Sequence, residues 1–181
     1  MKTATRNAIL FSSLAFLLGG AAAGCGISVE ADLPQVEVTQ RDLAFDGVPV
    51  TGLIGDVSMT RSFSQEHKTL EAPKGLDSEV KALSVTLTAK TGIQDFGFIH
   101  NLRITMSDDV HDPIELLAYQ QDPHAKPGNV LSMASANPVD TLDQWKTNSA
   151  TFTVEVAGAL PANDWTVDLS IDFAGTVKYS Y

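Results

Sequence analysis

The densest group of oxygen ligands in the chain is Asp108-Asp109-Val110-His111-Asp112, with Glu115 just beyond it. Calcium takes about six to eight oxygen ligands and tolerates irregular loops, so Asp108, Asp109 and Asp112 are candidate cation ligands. Their spacing departs from the Asp-x-Asp-x-Asp-Gly pattern of EF-hand loops, and a solvated turn between two strands is the favoured reading. His67, His100, His111 and His124 show neither His-Glu-x-x-His nor His-x-His spacing, and read as loop or strand-edge residues. Asp168 and Asp172 fall on one face of an alternating run, which raises paired-carboxylate chemistry. Four residues of strand set their Cα atoms about 13 Å apart, whereas glycosidase carboxyl groups stand about 5–9.5 Å apart. Trp145 lies in a polar context, Asp143-Gln144-Trp145-Lys146, and is the candidate for stacking on a sugar ring. The favoured reading of Trp145 is nevertheless a plug at an open end of the fold, since Trp is highly buried on average. Gly-x-Ser-x-Gly, Gly-x-x-x-x-Gly-Lys and Gly-x-Gly-x-x-Gly are all absent. No enzymatic activity and no cofactor are therefore expected, and a hydrolase with a site assembled from distant loops is the third-ranked reading.

The single cysteine, Cys25, excludes an internal disulfide and a multi-cysteine zinc site. It follows an apolar stretch, Ala8 to Ala23, which is preceded by Lys2 and Arg6. That stretch is shorter than the roughly 20 residues a helix needs to cross a bilayer. Its small-residue end suits a peptidase, so the segment reads as a secretory signal peptide. Ala22-Ala23-Gly24-Cys25 resembles the lipobox of bacterial lipoproteins, with Ala22 where that family favours Leu. The resemblance implies that residues 1–24 are a lipoprotein signal peptide and that the Cys25 sulfur carries a diacylglycerol. It further implies acylation of the new amino group, so that residues 25–35 form a lipidated tether ahead of a domain at 36–181. Gly26, where members held at the inner membrane carry Asp, implies the outer membrane of the bacterial cell envelope. The other reading of these residues is cleavage after Ala21-Ala22-Ala23, which leaves Cys25 a free thiol. The two outcomes differ physically: each buried acyl methylene contributes about 0.8 kcal/mol, so one chain binds reversibly and two or three hold firmly.

These candidate residues are carried by elements that alternate apolar and polar side chains with period two, the pattern of half-buried strands. The clearest run is Trp165, Val167, Leu169, Ile171 and Phe173 against Thr166, Asp168, Ser170 and Asp172, and its parity continues to Tyr181. Gly175 falls on the apolar face of this run and predicts a bend, a bulge or a close backbone approach. Leu83–Ala89, Leu102–Met106 and Ala150–Val156 repeat the pattern; Val36–Thr39, Asp56–Phe63, Ile114–Tyr119 and Asn129–Met133 carry it more weakly. Turn residues separate them, among them Pro73-Lys74-Gly75, Thr91-Gly92, Lys126-Pro127-Gly128 and Asn137-Pro138. Thr141–Lys146 and Gln94–Phe98 predict single helical turns. The expected fold is all-β: an antiparallel two-sheet β-sandwich, immunoglobulin-like or jelly-roll-like, with a closed barrel as the alternative. Pro161, Asp164 and Trp165 give the last strand a Pro-x-x-Asp-Trp entry, in which the body resembles a loose group of uncharacterised β-sandwich lipoproteins; that resemblance implies no activity.

The chain has 181 residues, 44% hydrophobic and 19% charged, with a net charge of −10. This length suits one domain with a processed segment. Loss of Lys2 and Arg6 with the signal peptide would deepen the charge by two units. Such an acidic surface opposes phosphate, so no nucleic-acid partner is expected. The partners expected are the membrane, through the anchor at Cys25, and an envelope protein or a glycan. The function read from sequence is a lipid-anchored binding or structural-assembly module, with carbohydrate binding through exposed aromatics as the alternative.

Overall fold

A computed structural model describes residues 28–33, 35–49, 55–70 and 77–180. The expected signal peptide at 1–24, Cys25 and the turn Pro73-Lys74-Gly75 lie outside the described residues. Nine strands are present among those described: β1 (Ser28–Asp32), β2 (Val36–Phe45), β3 (Val57–Glu66), β4 (Asp77–Thr91), β5 (Ile99–Ser107), β6 (Ile114–Gln120), β7 (Val130–Ala134), β8 (Ser149–Gly158) and β9 (Trp165–Ser180). A short 3-10 turn, Gln144–Lys146, precedes β8. The second predicted helical turn, Gln94–Phe98, is an irregular segment that ends in one hydrogen-bonded turn, closed from Ile99 N–H to Phe96 carbonyl at 3.1 Å.

All strand pairs are antiparallel. One sheet runs β2-β9-β4-β7, with β1 beside the far half of β9; the other runs β3-β8-β5-β6. The second half of the chain thus folds back on the first, pairing β2 with β9, β3 with β8, β4 with β7 and β5 with β6. Wrapping that four-pair ladder into two facing sheets is the jelly-roll order, which resolves the choice left open by strand patterning.

The alternation explains the packing. Along β9, Trp165, Val167, Leu169, Ile171 and Phe173 are at most 1% exposed, and Phe152, Val154 and Val156 of β8 face them at 0%. Phe45 stacks flat on Trp165 at 4.1 Å between ring centroids, and Phe98 meets the same indole edge-on. Burial of each such side chain contributes about 1.5–3 kcal/mol.

Three features differ from the sequence expectation, each for a local reason. Ser28–Asp32, expected within the tether, is strand β1 and pairs with Thr176–Ser180, so the sheet begins before Val36. Strand β2 continues past Thr39: its alternation breaks at a bulge where Asp42 takes φ 52°, then resumes at Leu43 and Phe45. Leu83, expected on the apolar face, is 38% exposed because β4 has a register shift between Ala82 and Ser84. Val80 and Ala82 point inward before the shift, and Val85 and Leu87 after it. The expectation at Gly175 holds as a close backbone approach: its carbonyl accepts Leu33 N–H at 2.7 Å, and a Cβ there would stand 3.3 Å from the Glu79 carbonyl oxygen.

Candidate functional site

The chemistry-bearing residues nearest one another gather where β5 runs into the Asp108–Asp112 loop and where the 3-10 turn crosses the end of the sandwich. Asp108 follows the last residue of β5, and its side chain is fully buried. One oxygen accepts the backbone N–H groups of Val110 at 2.9 Å and His111 at 2.6 Å, and the other pairs with His111 Nδ1 at 2.8 Å. Burial pushes this carboxyl up, but the imidazole and the two amides outweigh it and hold the pKa at about 2. The carboxylate is therefore the internal brace of its own turn.

That arrangement sets Asp108 apart from the other two candidate cation ligands, Asp109 and Asp112. Asp108 already has both oxygens engaged by N–H donors, which would have to be displaced by a metal. Asp109 and Asp112 are exposed, and no group of three or more His, Cys, Asp or Glu is arranged to hold a metal ion among the described residues.

Trp145, the candidate for stacking on a sugar ring, is buried. The ring is 1% exposed, edge-on to Phe173 at 5.1 Å and tilted over His67 at 4.7 Å. Its Nε1 donates to Thr141 Oγ1 at 3.1 Å, and that hydroxyl donates to the Val80 carbonyl at 2.8 Å. The Trp145 carbonyl accepts Leu70 N–H at 2.8 Å. The residue is the plug, tied to the β4 sheet by the wholly buried Thr141. Burial lowers the pKa of His67, whose Nε2 is enclosed without a hydrogen-bond partner among the described residues. Gln144, 2% exposed, reaches Asp112 carbonyl at 3.5 Å through Nε2 and leaves Oε1 unpartnered.

Asp168 and Asp172 share the outer face of β9 as expected, and each serves its own neighbour. Asp168 accepts Asp42 N–H at 3.0 Å and pairs with Lys90 at 3.1 Å; its pKa is lowered, first by the amide and then by the lysine against the opposing effect of burial. Asp172 accepts Ser84 Oγ at 2.7 Å. His100 pairs with Asp56 at 2.8 Å on the surface, and His124 lies in the β6–β7 loop. An imidazole fixed by a carboxylate is half of an acid–base pair, but neither His111 nor His100 has a hydroxyl hydrogen-bonded to its Nε2 among the described residues.

No family model matches the chain. No curated protein matches it either. Among solved structures, it is similar to the decameric BFDV capsid protein at 8% identity and a TM-score of 0.34, covering 84% of this chain and 98% of that one. It is similar to a structure of infectious bursal disease virus, Gx strain, at 13% identity and TM-score 0.36, covering 81% of this chain and 38% of that one. Tomato aspermy virus follows at 15% identity and TM-score 0.23, covering 65% of this chain and 75% of that one.

A feature that strand patterning did not single out lies on the flank of the sandwich. Edge strand β6 and the segment leaving β7 border a groove of about 530 Å³, with Pro113–Ala118 on one wall and Ala134-Ser135-Ala136-Asn137 and Val139 on the other. The sequence carried a signal for it only in hindsight: two predicted strands with few charges, one leading into a run of small residues.

Proposed function

We propose that this protein is a lipid-anchored, non-enzymatic component of the bacterial cell envelope whose jelly-roll body serves binding or structural assembly. The observation that carries the reading is the placement of the one cysteine, directly after Ala22-Ala23-Gly24 at the end of the apolar stretch. The start of β1 at Ser28 supports it, because only Gly26 and Ile27 separate Cys25 from the sheet. At roughly 3.3–3.6 Å per residue, a lipidated Cys25 keeps the Ser28 end of β1 within about 11 Å of its acyl chains. Strand β1 runs antiparallel to β9, so the β1–β9 end of the sandwich faces the bilayer and the Trp165 end points away. A strongly acidic body disfavours adhesion to anionic headgroups and is held to the membrane by acyl chains, not by its surface. The carbohydrate alternative looks to exposed aromatics, Trp145 or the tyrosines, and of these Trp145 is buried.

Intact mass of the protein extracted from membranes tests the reading. A chain beginning at Cys25 with three acyl groups is expected. A protein recovered without detergent and carrying an alkylatable thiol at Cys25 would overturn it.

A further inference from the structure

The sandwich has four lateral edges, and three of them are closed or short. On β2 the edge is broken by the bulge at Asp42, whose N–H is held by Asp168. Next to it, β3 is crossed by the Arg61 guanidinium, which reaches from one sheet to the other to bond the Ala44 carbonyl and Asp46. Strand β7 has five residues. The fourth edge is β6, which pairs with β5 on one side and has no backbone partner on the other among the described residues. A bulge at Leu116 turns both Leu116 and Leu117 into the core, at 3% and 4% exposure, and leaves Leu117–Gln120 as the regular stretch opposite Ile104–Asn101.

The groove described above borders the first part of this edge, Pro113 to Ala118, and overlaps the regular stretch at Leu117 and Ala118. Its far wall carries the small side chains Ala134, Ser135 and Ala136, which leaves width beside β6. Apolar surface stands at its ends: Val139 is 47% exposed and Ile114 is half-buried. The adjoining charges are mostly acidic, with Lys81 bridged to Asp140 and Arg103 beside Glu115. Asp109 and Asp112 precede β6, are exposed, and have no ion-pair partner among the described residues. Asp140, also exposed, follows the far wall, and Glu115 is paired with Arg103 at 3.0 Å. An unpaired edge supplies main-chain hydrogen bonds to an incoming strand, while flanking pockets and charges select its side chains.

We propose that the outer edge of β6 takes up an extended segment of a partner protein, alternating basic and apolar residues, as an added strand. The inference rests on reading the body as a binding module and names the surface and partner chemistry. A second copy of this chain fits poorly, because it would bring Asp109 and Asp112 to meet a like-charged rim.

The test uses the full chain in detergent and the peptide acetyl-Lys-Val-Lys-Val-Lys-Val-Lys-amide. Amide hydrogen exchange at Leu117–Gln120 is expected to slow about tenfold at a peptide concentration ten times Kd. The same peptide with every backbone nitrogen methylated keeps its charge and side chains, and is expected to give no slowing. Ala136→Trp fills the groove from an exposed position and is expected to abolish the effect. Asp109→Lys with Asp112→Lys is expected to weaken binding by up to about fivefold per charge. Equal binding of the methylated peptide, slowing confined to β3 or β7, or no slowing at β6 at any peptide concentration would each overturn the proposal. Failure here with a triacylated Cys25 leaves the anchored reading standing; slowing at β6 in a protein with a free thiol at Cys25 leaves the edge and removes the anchor.

Discussion

If Trp145 is a structural plug, its substitution changes stability, and the Thr141 hydroxyl should be energetically coupled to it. Trp145 is among the largest fully buried side chains. Trp145→Ala leaves a cavity against Phe173 and His67 and is expected to cost about 3–5 kcal/mol, a large share of the ~5–15 kcal/mol typical of a folded domain. Trp145→Phe keeps an aromatic ring but removes the Nε1 donor, at about 1–2 kcal/mol. Thr141→Val removes the hydroxyl that donates to Val80 carbonyl at 2.8 Å and accepts Trp145 Nε1 at 3.1 Å. Two buried polar groups are then unpaired, at an expected cost of about 2–4 kcal/mol. Both single variants break the same hydrogen bond, so the double variant should be less destabilised than their sum by about 1 kcal/mol. Urea unfolding of wild type, Trp145→Phe, Thr141→Val and their double variant, followed by far-ultraviolet circular dichroism, measures the cycle, and Trp145→Ala is unfolded beside them. Strict additivity, or a Trp145→Ala protein that unfolds at the wild-type midpoint yet no longer binds a polysaccharide column, would refute the plug.

Asp108→Asn tests the brace in the loop. The Asp108 carboxyl falls from an ordinary 3.8 to about 2 in the folded state, so its stabilisation is fully present above about pH 4 and is lost as pH falls toward 2. Set against about 1.4 kcal/mol per pKa unit and softened by solvent near the loop, the variant should lose about 1–2 kcal/mol at neutral pH and match wild type near pH 2. A constant difference across that range would count against the assignment. His67 acts with the opposite protonation logic: burial lowers its pKa from 6.5, so the unfolded chain takes up a proton first and stability should decline as pH drops below 6.5. In His67→Gln, melting temperatures measured across that range should show a shallower decline; an unchanged slope would assign the acid sensitivity elsewhere. Gly92 occupies φ 77°, and a Cβ there would stand 2.2 Å from the Asp164 carbonyl oxygen. Gly92→Ala should therefore cost about 2–4 kcal/mol by thermal melting, more than the strain of a left-handed residue alone, and a loss below about 1 kcal/mol would mean the turn relaxes freely.

Period-two alternation identified every strand from β2 to β9, because each buries one face and wets the other, and that contrast is written in consecutive side chains. The core position of Trp165 followed from its phase with Val167 and Leu169. The limits of that logic coincide with the bulges: β2 could not be followed through Gln40-Arg41-Asp42, Leu83 was assigned inward, and Leu116-Leu117 gave no parity. A bulge changes which face a residue meets without changing its type. The acidic loop was conspicuous in sequence for a related reason. Composition advertised its carboxylates, but only the backbone path revealed that Asp108 turns inward to its own amides.

By itself, the order of residues determined an acidic chain, its one cysteine at the edge of an apolar stretch, and a body of short amphipathic strands. Those properties depend on local composition and on neighbours two residues apart. Which strands pair, that the roll is a jelly roll, and that β6 forms one lateral edge of it were decided by tertiary structure alone. The physical reason is the distance along the chain: β2 meets β9 and β3 meets β8 across most of the described sequence, and such pairings are selected by the fit of whole faces, which no local window contains.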